Sequence, residues 1–118
     1  MTFLFAPELV INNATYNNNE IAFRPLSIND YDLGFSELLQ QLTVAKFDKT
    51  QFEQRFMEMK KDGTYYIVIA EDLIKKKIIA TGTIAVEKKF LRDCGTCGHI
   101  EDIVVDSTYR GKNLGLKY

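Results

Sequence analysis

The 118-residue chain is one domain's length, and 46% hydrophobic with 26% charged residues is the mix of a globular protein able to bury a core. Fifteen Lys and Arg against sixteen Asp and Glu leave a formal charge of -1, so no whole-molecule field draws the chain to nucleic acid or an anionic membrane. Two cysteines make no disulfide framework, no basic leader opens the chain, and no apolar run nears the ~20 residues of a spanning helix, so the expectation is a soluble, cytoplasmic protein.

Residues 1–19 read as an N-terminal extension: apolar clusters suited to docking on a surface, then an Asn-rich stretch that favours turns. The domain itself is expected over 20–118. Glu20–Arg24 alternates up to Pro25 and predicts a strand with Ile21 and Phe23 on one face. Ser27 or Asn29 can cap a helix, and Tyr31, Leu33, Phe35, Leu38, Leu39 and Leu42 recur at helical spacing over Asp30–Leu42. A second helix is predicted to begin around Asp48–Thr50 and to run through Lys61, with Phe52, Phe56, Met57 and Met59 apolar and Gly63 at its C-terminal end. From Thr64 the period changes. Tyr65–Ala70 and Ile78–Val86 predict an antiparallel hairpin around a charged turn, Glu71–Lys77. Glu87–Gly98 reads as an irregular basic segment, and His99–Val105 as a third meander strand. The order is α+β, a mixed α/β layout of strand, two helices and a three-stranded meander.

Four constellations carry possible chemistry. Cys94-Gly-Thr-Cys97 precedes a strand rather than opening a helix, and His99 is the lone third ligand nearby, so a surface pair of thiols is favoured over a redox or zinc centre and no metal is expected. His99 shares a strand face with Glu101 and suits a structural or surface role better than a catalytic one. Glu101 and Asp102 lie between Ile100 and Ile103-Val104-Val105. A regular strand sends them to opposite faces, and burial there would raise a carboxylate toward a working base. An edge-strand salt bridge is the alternative. Arg110-Gly-Lys-Asn-Leu-Gly115 is cationic and glycine-flanked, able to offer backbone N–H groups to a phosphate, although it is also compatible with a surface turn. Lys88, Lys89 and Arg92 add a basic cluster beside the same strand.

Taken together, this layout ending in Arg110-x-x-Asn-x-Gly115 resembles the GCN5-related N-acetyltransferase (GNAT) family, whose Gln/Arg-x-x-Gly-x-Gly/Ala loop wraps the pyrophosphate of acetyl-coenzyme A at the start of a long helix. Asn113 stands where the family has its middle glycine. Gly98–Val105, Tyr109–Gly115, Arg24-Pro-Leu, Gln41-Leu-Thr, Met59–Tyr66 and Ala80-Thr-Gly-Thr narrow the likeness to the eukaryotic branch that acetylates glucosamine 6-phosphate, over about Ile21–Leu116. The resemblance implies acetyl transfer from acetyl-CoA, as co-substrate, to the amine of D-glucosamine 6-phosphate on the route to UDP-N-acetylglucosamine, in a homodimer. It implies that the backbone of Glu101, Asp102 and Ile103 faces the thioester, and that Arg110, Gly111, Lys112, Asn113, Leu114 and Gly115 cradle the coenzyme phosphates. Lys89, Phe90, Leu91 and Arg92 would lie against the sugar phosphate, Thr43 would touch the sugar, and Glu101 and Asp102 would bind the amine and help remove its proton. Family members continue past the position of Tyr118, so the domain is expected to be C-terminally truncated here. The alternatives are a non-catalytic truncated product of the same family or, far behind, a small CxxC module.

Overall fold

Ile21-Ala22-Phe23-Arg24-Pro25 alternates buried and half-buried, and that pattern makes it an inner strand of a five-stranded antiparallel sheet. The structure is a computed structural model that describes residues 2–10, 15–16 and 20–109. The sheet is a plain meander of β1 (Thr15–Tyr16), β2 (Ile21–Pro25), β3 (Tyr65–Asp72), β4 (Lys77–Lys88) and β5 (Thr96–Val105), each strand beside its sequence neighbour. One face carries α1 (Phe35–Leu39) and α2 (Lys49–Asp62).

Sequence and structure part company in three places. The helix expected over Asp30–Leu42 is broken into a 3-10 turn, Asp30–Leu33, and the single α1 turn and a half. Gly34 sits between them at φ 90, a left-handed conformation that interrupts the helical ladder. The hairpin turn is shorter than Glu71–Lys77, because Glu71 and Asp72 pair with Ile78 and Lys77 past a bulge at Ala70/Glu71. The irregular segment shrinks from Glu87–Gly98 to residues 89–95, since Glu87 pairs with Cys97 and Lys88 with Thr96.

The second helix follows its signals closely. Asp48 caps α2 by accepting from the Gln51 amide, Gln51 reaches back to the Asp48 amide, and Gly63 closes the end at φ 77. Its inward residues Phe52 and Phe56 join Leu26, Phe35, Leu38, Ile67, Ile69, Ile78 and Val104 in the main core. Leu4, from the N-terminal extension, belongs to that core as well, at 4% exposure. Its amide donates to the Leu26 carbonyl at 2.8 Å, and Phe5 meets Tyr66 edge-on. A smaller cluster of Ile21, Phe23, Ala70, Ile79, Ala80 and Tyr109 joins β2, β3 and β4 to the turn after β5. Phe56 is 2% exposed and packs its ring against Phe52. Truncating it to Ala is expected to cost about 3–5 kcal/mol, read as a fall in the urea midpoint at unchanged slope.

Candidate active site

Strand β5 is irregular at the acid pair. Thr83 opposes Glu101 and Thr81 opposes Val104, so Asp102 and Ile103 together face Gly82, and Asp102 takes a positive φ of 52. This is a β-bulge, which interrupts the ladder and re-aims side chains. Regular alternation would have split the two carboxylates between faces. With the bulge, both Glu101 and Asp102 line one cavity of about 530 Å³ between α2 and the sheet. Its polar end holds Thr81, Thr83, Glu101 and Asp102, and Phe35, Phe47, Phe52, Phe56 and Met59 make much of its wall. The acids are exposed rather than buried, and so are their neighbours Ile100 (70%) and Ile103 (45%). Among the described residues β5 is the outer strand of the sheet.

The loop bearing Thr43 is tied to the first helical segment by side chains. Ser36 donates its hydroxyl to the Ala45 carbonyl at 2.6 Å, and Tyr31 donates to the Phe47 carbonyl at 3.2 Å. Phe47 then stacks on Phe52 at the cavity wall. Thr43 itself is exposed.

The β4–β5 connection is a left-handed turn. Arg92, Asp93 and Cys94 have φ of 56, 56 and 63, and the Cys94 and Gly95 amides donate to the carbonyls of Phe90 and Leu91. Left-handed backbone costs roughly 1–2 kcal/mol for each ordinary residue, and such strain gathers at functional sites. The turn holds Phe90 (91% exposed) and Leu91 out into solvent. Lys89 pairs with Glu87 at 2.9 Å, and that hydrogen bond and charge raise its pKa. His99 also meets Glu87, at 3.0 Å, so it serves this ion cluster rather than the cavity. Cys94 and Cys97 are both exposed and not bridged to each other. Among the described residues no three His, Cys, Asp or Glu side chains come together as metal ligands.

Beyond β5 the chain makes a 3-10 turn, Ser107–Tyr109. Tyr109 is buried and donates its hydroxyl to Asp72, which also accepts from the Ile74 and Lys75 amides, while Lys75 and Lys77 lie over the ring. Burial pushes the Asp72 carboxyl up, but the Lys75 amide, the Tyr109 hydroxyl and the Ile74 amide outweigh it and hold it below the usual 3.8. The same burial and carboxylate push the Tyr109 phenol from 10.0 up to about 12. A lowered carboxylate contributes stability above its unfolded value and loses it as pH falls through the folded one. A raised phenol contributes below pH 10.0 and loses it between 10.0 and about 12. Stability is therefore expected to fall at both limits, below about pH 4 and above about pH 10. Tyr109→Phe should flatten the alkaline limb in urea unfolding followed against pH.

Of the residues singled out from sequence, Glu101, Asp102 and Ile103 meet at the bulge, Glu101 and Asp102 line the cavity, and Lys89–Arg92 lead into the left-handed turn of Arg92, Asp93 and Cys94. The loop Arg110–Gly115 lies outside the described residues, as does Asn12–Asn13 with Asn17–Asn19. Sequence reasoning missed the cavity wall, whose phenylalanines read as ordinary core, and the side-chain ties of Tyr31, Ser36 and Gln41. The single signal for the bulge was Gly82 opposite the acids, within Ala80-Thr-Gly-Thr.

A bulged outer strand bearing two acids, on an antiparallel sheet with two helices on one face, is an arrangement to set beside known proteins. The acetyltransferase (GNAT) family matches residues 30–117, and the chain belongs to that family. It is similar to glucosamine 6-phosphate N-acetyltransferase 1 of Dictyostelium discoideum, 61% identical over 98 residues that are 82% of this chain and 62% of that one. It is likewise similar to the Arabidopsis thaliana glucosamine 6-phosphate N-acetyltransferase, 49% identical over 80% of this chain and 64% of that. The crystal structure of the Arabidopsis enzyme matches with a TM-score of 0.80 at 48% identity, over 82% of this chain and 67% of that one. The chain thus spans somewhat over three-fifths of these curated relatives' length.

Proposed function

We propose that the protein carrying this chain transfers the acetyl group of acetyl-coenzyme A to the amine of D-glucosamine 6-phosphate, as a cytoplasmic homodimer on the route to UDP-N-acetylglucosamine. The observation that carries the reading is the Asp102 bulge, which puts two carboxylates at one cavity and interrupts the ladder on an outer strand. The names of the relatives support the amino-sugar substrate. No helix among the described residues is long and apolar enough to cross a membrane.

Acetyl-coenzyme A supplies an activated acyl carbon. This chain's part is to hold it, to deprotonate the amine and to stabilise the developing oxyanion. Of the backbone amides at Glu101–Ile103, those of Asp102 and Ile103 are the donors offered to the carbonyl oxygen, since the bulge takes them out of the register while Glu101 stays opposite Thr83. Glu101, directly or through a water, takes the proton of the sugar ammonium, because an amine attacks a thioester only when neutral. Asp102 orients the amine from the same cavity. The C–N bond forms first, giving the oxyanion; its collapse breaks the C–S bond, and the departing thiolate takes the second proton that the nitrogen sheds, so that coenzyme A leaves as the thiol.

Thr43 contacts the sugar from the tied loop. Its phosphate lies against Lys89–Arg92, where it competes with Glu87 for the Lys89 ammonium. Arg110–Gly115 follows Tyr109 and holds the coenzyme phosphates with backbone amides and the Arg110 and Lys112 charges. Thiol release from acetyl-coenzyme A, measured with glucosamine 6-phosphate, glucosamine, glucose 6-phosphate and a lysine peptide, tests the reading. Release with the phosphorylated amino sugar, far above the other three, is the expected result. Equal release with the peptide overturns the substrate assignment.

A further inference from the structure

Gln41 is exposed, yet its amide makes two hydrogen bonds to the turn that follows β5. Nε2 donates to Asp106 Oδ2 at 3.2 Å, and Oε1 accepts from the Ser107 amide at 2.9 Å. Asp106 holds its remaining oxygen toward the Thr108 amide and hydroxyl, at 2.9 and 2.7 Å. Burial pushes the Asp106 carboxyl up, but the Thr108 and Gln41 donors hold it below the usual carboxylate value, so it is ionised at working pH. A carboxylate can only accept and an amide N–H can only donate, so one orientation of the Gln41 amide satisfies both, and no other side chain of that length does. Glutamate in its place would set a carboxylate against a carboxylate.

Two exposed hydrogen bonds add little to folding. Their ends are what matter. Gln41 sits two residues before Thr43 in the loop tied down by Ser36 and Tyr31, and Tyr109 is the last residue before Arg110. The clamp is thus a direct tie between the sugar-facing loop and the turn from which residues 110–115 depart. Resting on the reading above, we propose that Gln41 is a positioning residue that couples the two substrates: it holds the loop of Thr43 and the turn after β5 in one arrangement, so a ligand that braces either braces the other. Reciprocity follows, with each ligand tightening the other by the same factor.

The test is calorimetric binding of coenzyme A to the full-length protein, with and without saturating glucosamine 6-phosphate, for the parent, Gln41→Ala and Gln41→Glu. In the parent the sugar should tighten coenzyme A several-fold. In Gln41→Ala the dissociation constant should rise about tenfold, with the sugar's effect lost and the urea midpoint unchanged. Gln41→Glu should bind more weakly still, despite its size, and Ser107 amide exchange should quicken in both variants. Unchanged coenzyme affinity and coupling in both variants, beside a parent that binds and transfers, overturns the inference alone. A parent that binds no coenzyme A overturns the functional reading and this inference together.

Discussion

Glu101→Gln is expected to lower kcat by 10²–10⁴-fold, with the urea midpoint unchanged. The residue is exposed at the polar end of the cavity and pairs across the sheet with Thr83, so the amide fits the same space and little packing depends on the charge. What Gln lacks is a lone pair basic enough to take a proton from the ammonium. A loss in kcat and kcat/KM together marks a group that acts in the transition state. A rise in KM at unchanged kcat would instead mark one that merely holds the sugar. The measurement is steady-state thiol release with both substrates varied. Because Asp102 lines the same cavity, the double variant with Asp102→Asn should lose less than the product of the two single losses.

A loss of stability as large as that at Phe56, but polar in origin, is expected at Asp30. Its side chain is fully buried and accepts from Arg24 Nη1 and Nη2 at 2.9 and 2.7 Å and from the Ser27 amide at 2.7 Å. Arg24 also donates to Glu71 at 3.0 and 3.2 Å, which ties β2, β3 and the turn before α1 into one network. Asp30→Ala leaves a mostly buried guanidinium with Glu71 and the Pro25 carbonyl as acceptors, and an orphaned Ser27 amide. Breaking a buried pair in this way costs about 3–5 kcal/mol. Against a total of about 5–15 kcal/mol for a domain, that is enough to leave a marginal chain largely unfolded at 37 °C. Urea unfolding should show the midpoint collapse for Asp30→Ala and a smaller drop for Asp30→Asn, which still accepts one hydrogen bond. Activity at low temperature should survive in both, since Asp30 lies away from the cavity lining.

Local signals carried most of the architecture. The strand period at Ile21–Pro25, the Asp48 cap with Gln51 and the Gly63 stop each act within a few residues, and each appears in the structure. The family likeness likewise rested on short contiguous stretches. What stayed hidden is long-range. Asp30 read as a helix-start residue, yet its carboxylate is taken by Arg24, and Gly34 breaks the helix that the apolar spacing suggested. Leu4 read as part of an extension docked on the surface, yet it fills the main core. At the candidate site the acids were visible, but their shared cavity was not, because a bulge is a property of two strands in register and Gly82 lies far from Asp102 in sequence. The Gln41 clamp spans residues 41 to 106 and has no periodic signature at all.

The most direct test of the account is the product itself. The full-length protein is incubated with acetyl-coenzyme A and glucosamine 6-phosphate, the released thiol is counted, and the sugar is analysed by mass spectrometry and by the chemical shift at its amine-bearing carbon. The account predicts one N-acetyl group on the sugar amine for every thiol released, with both vanishing together in Glu101→Gln. Thiol release without an acetylated sugar, or full N-acetylation by Glu101→Gln, would contradict it.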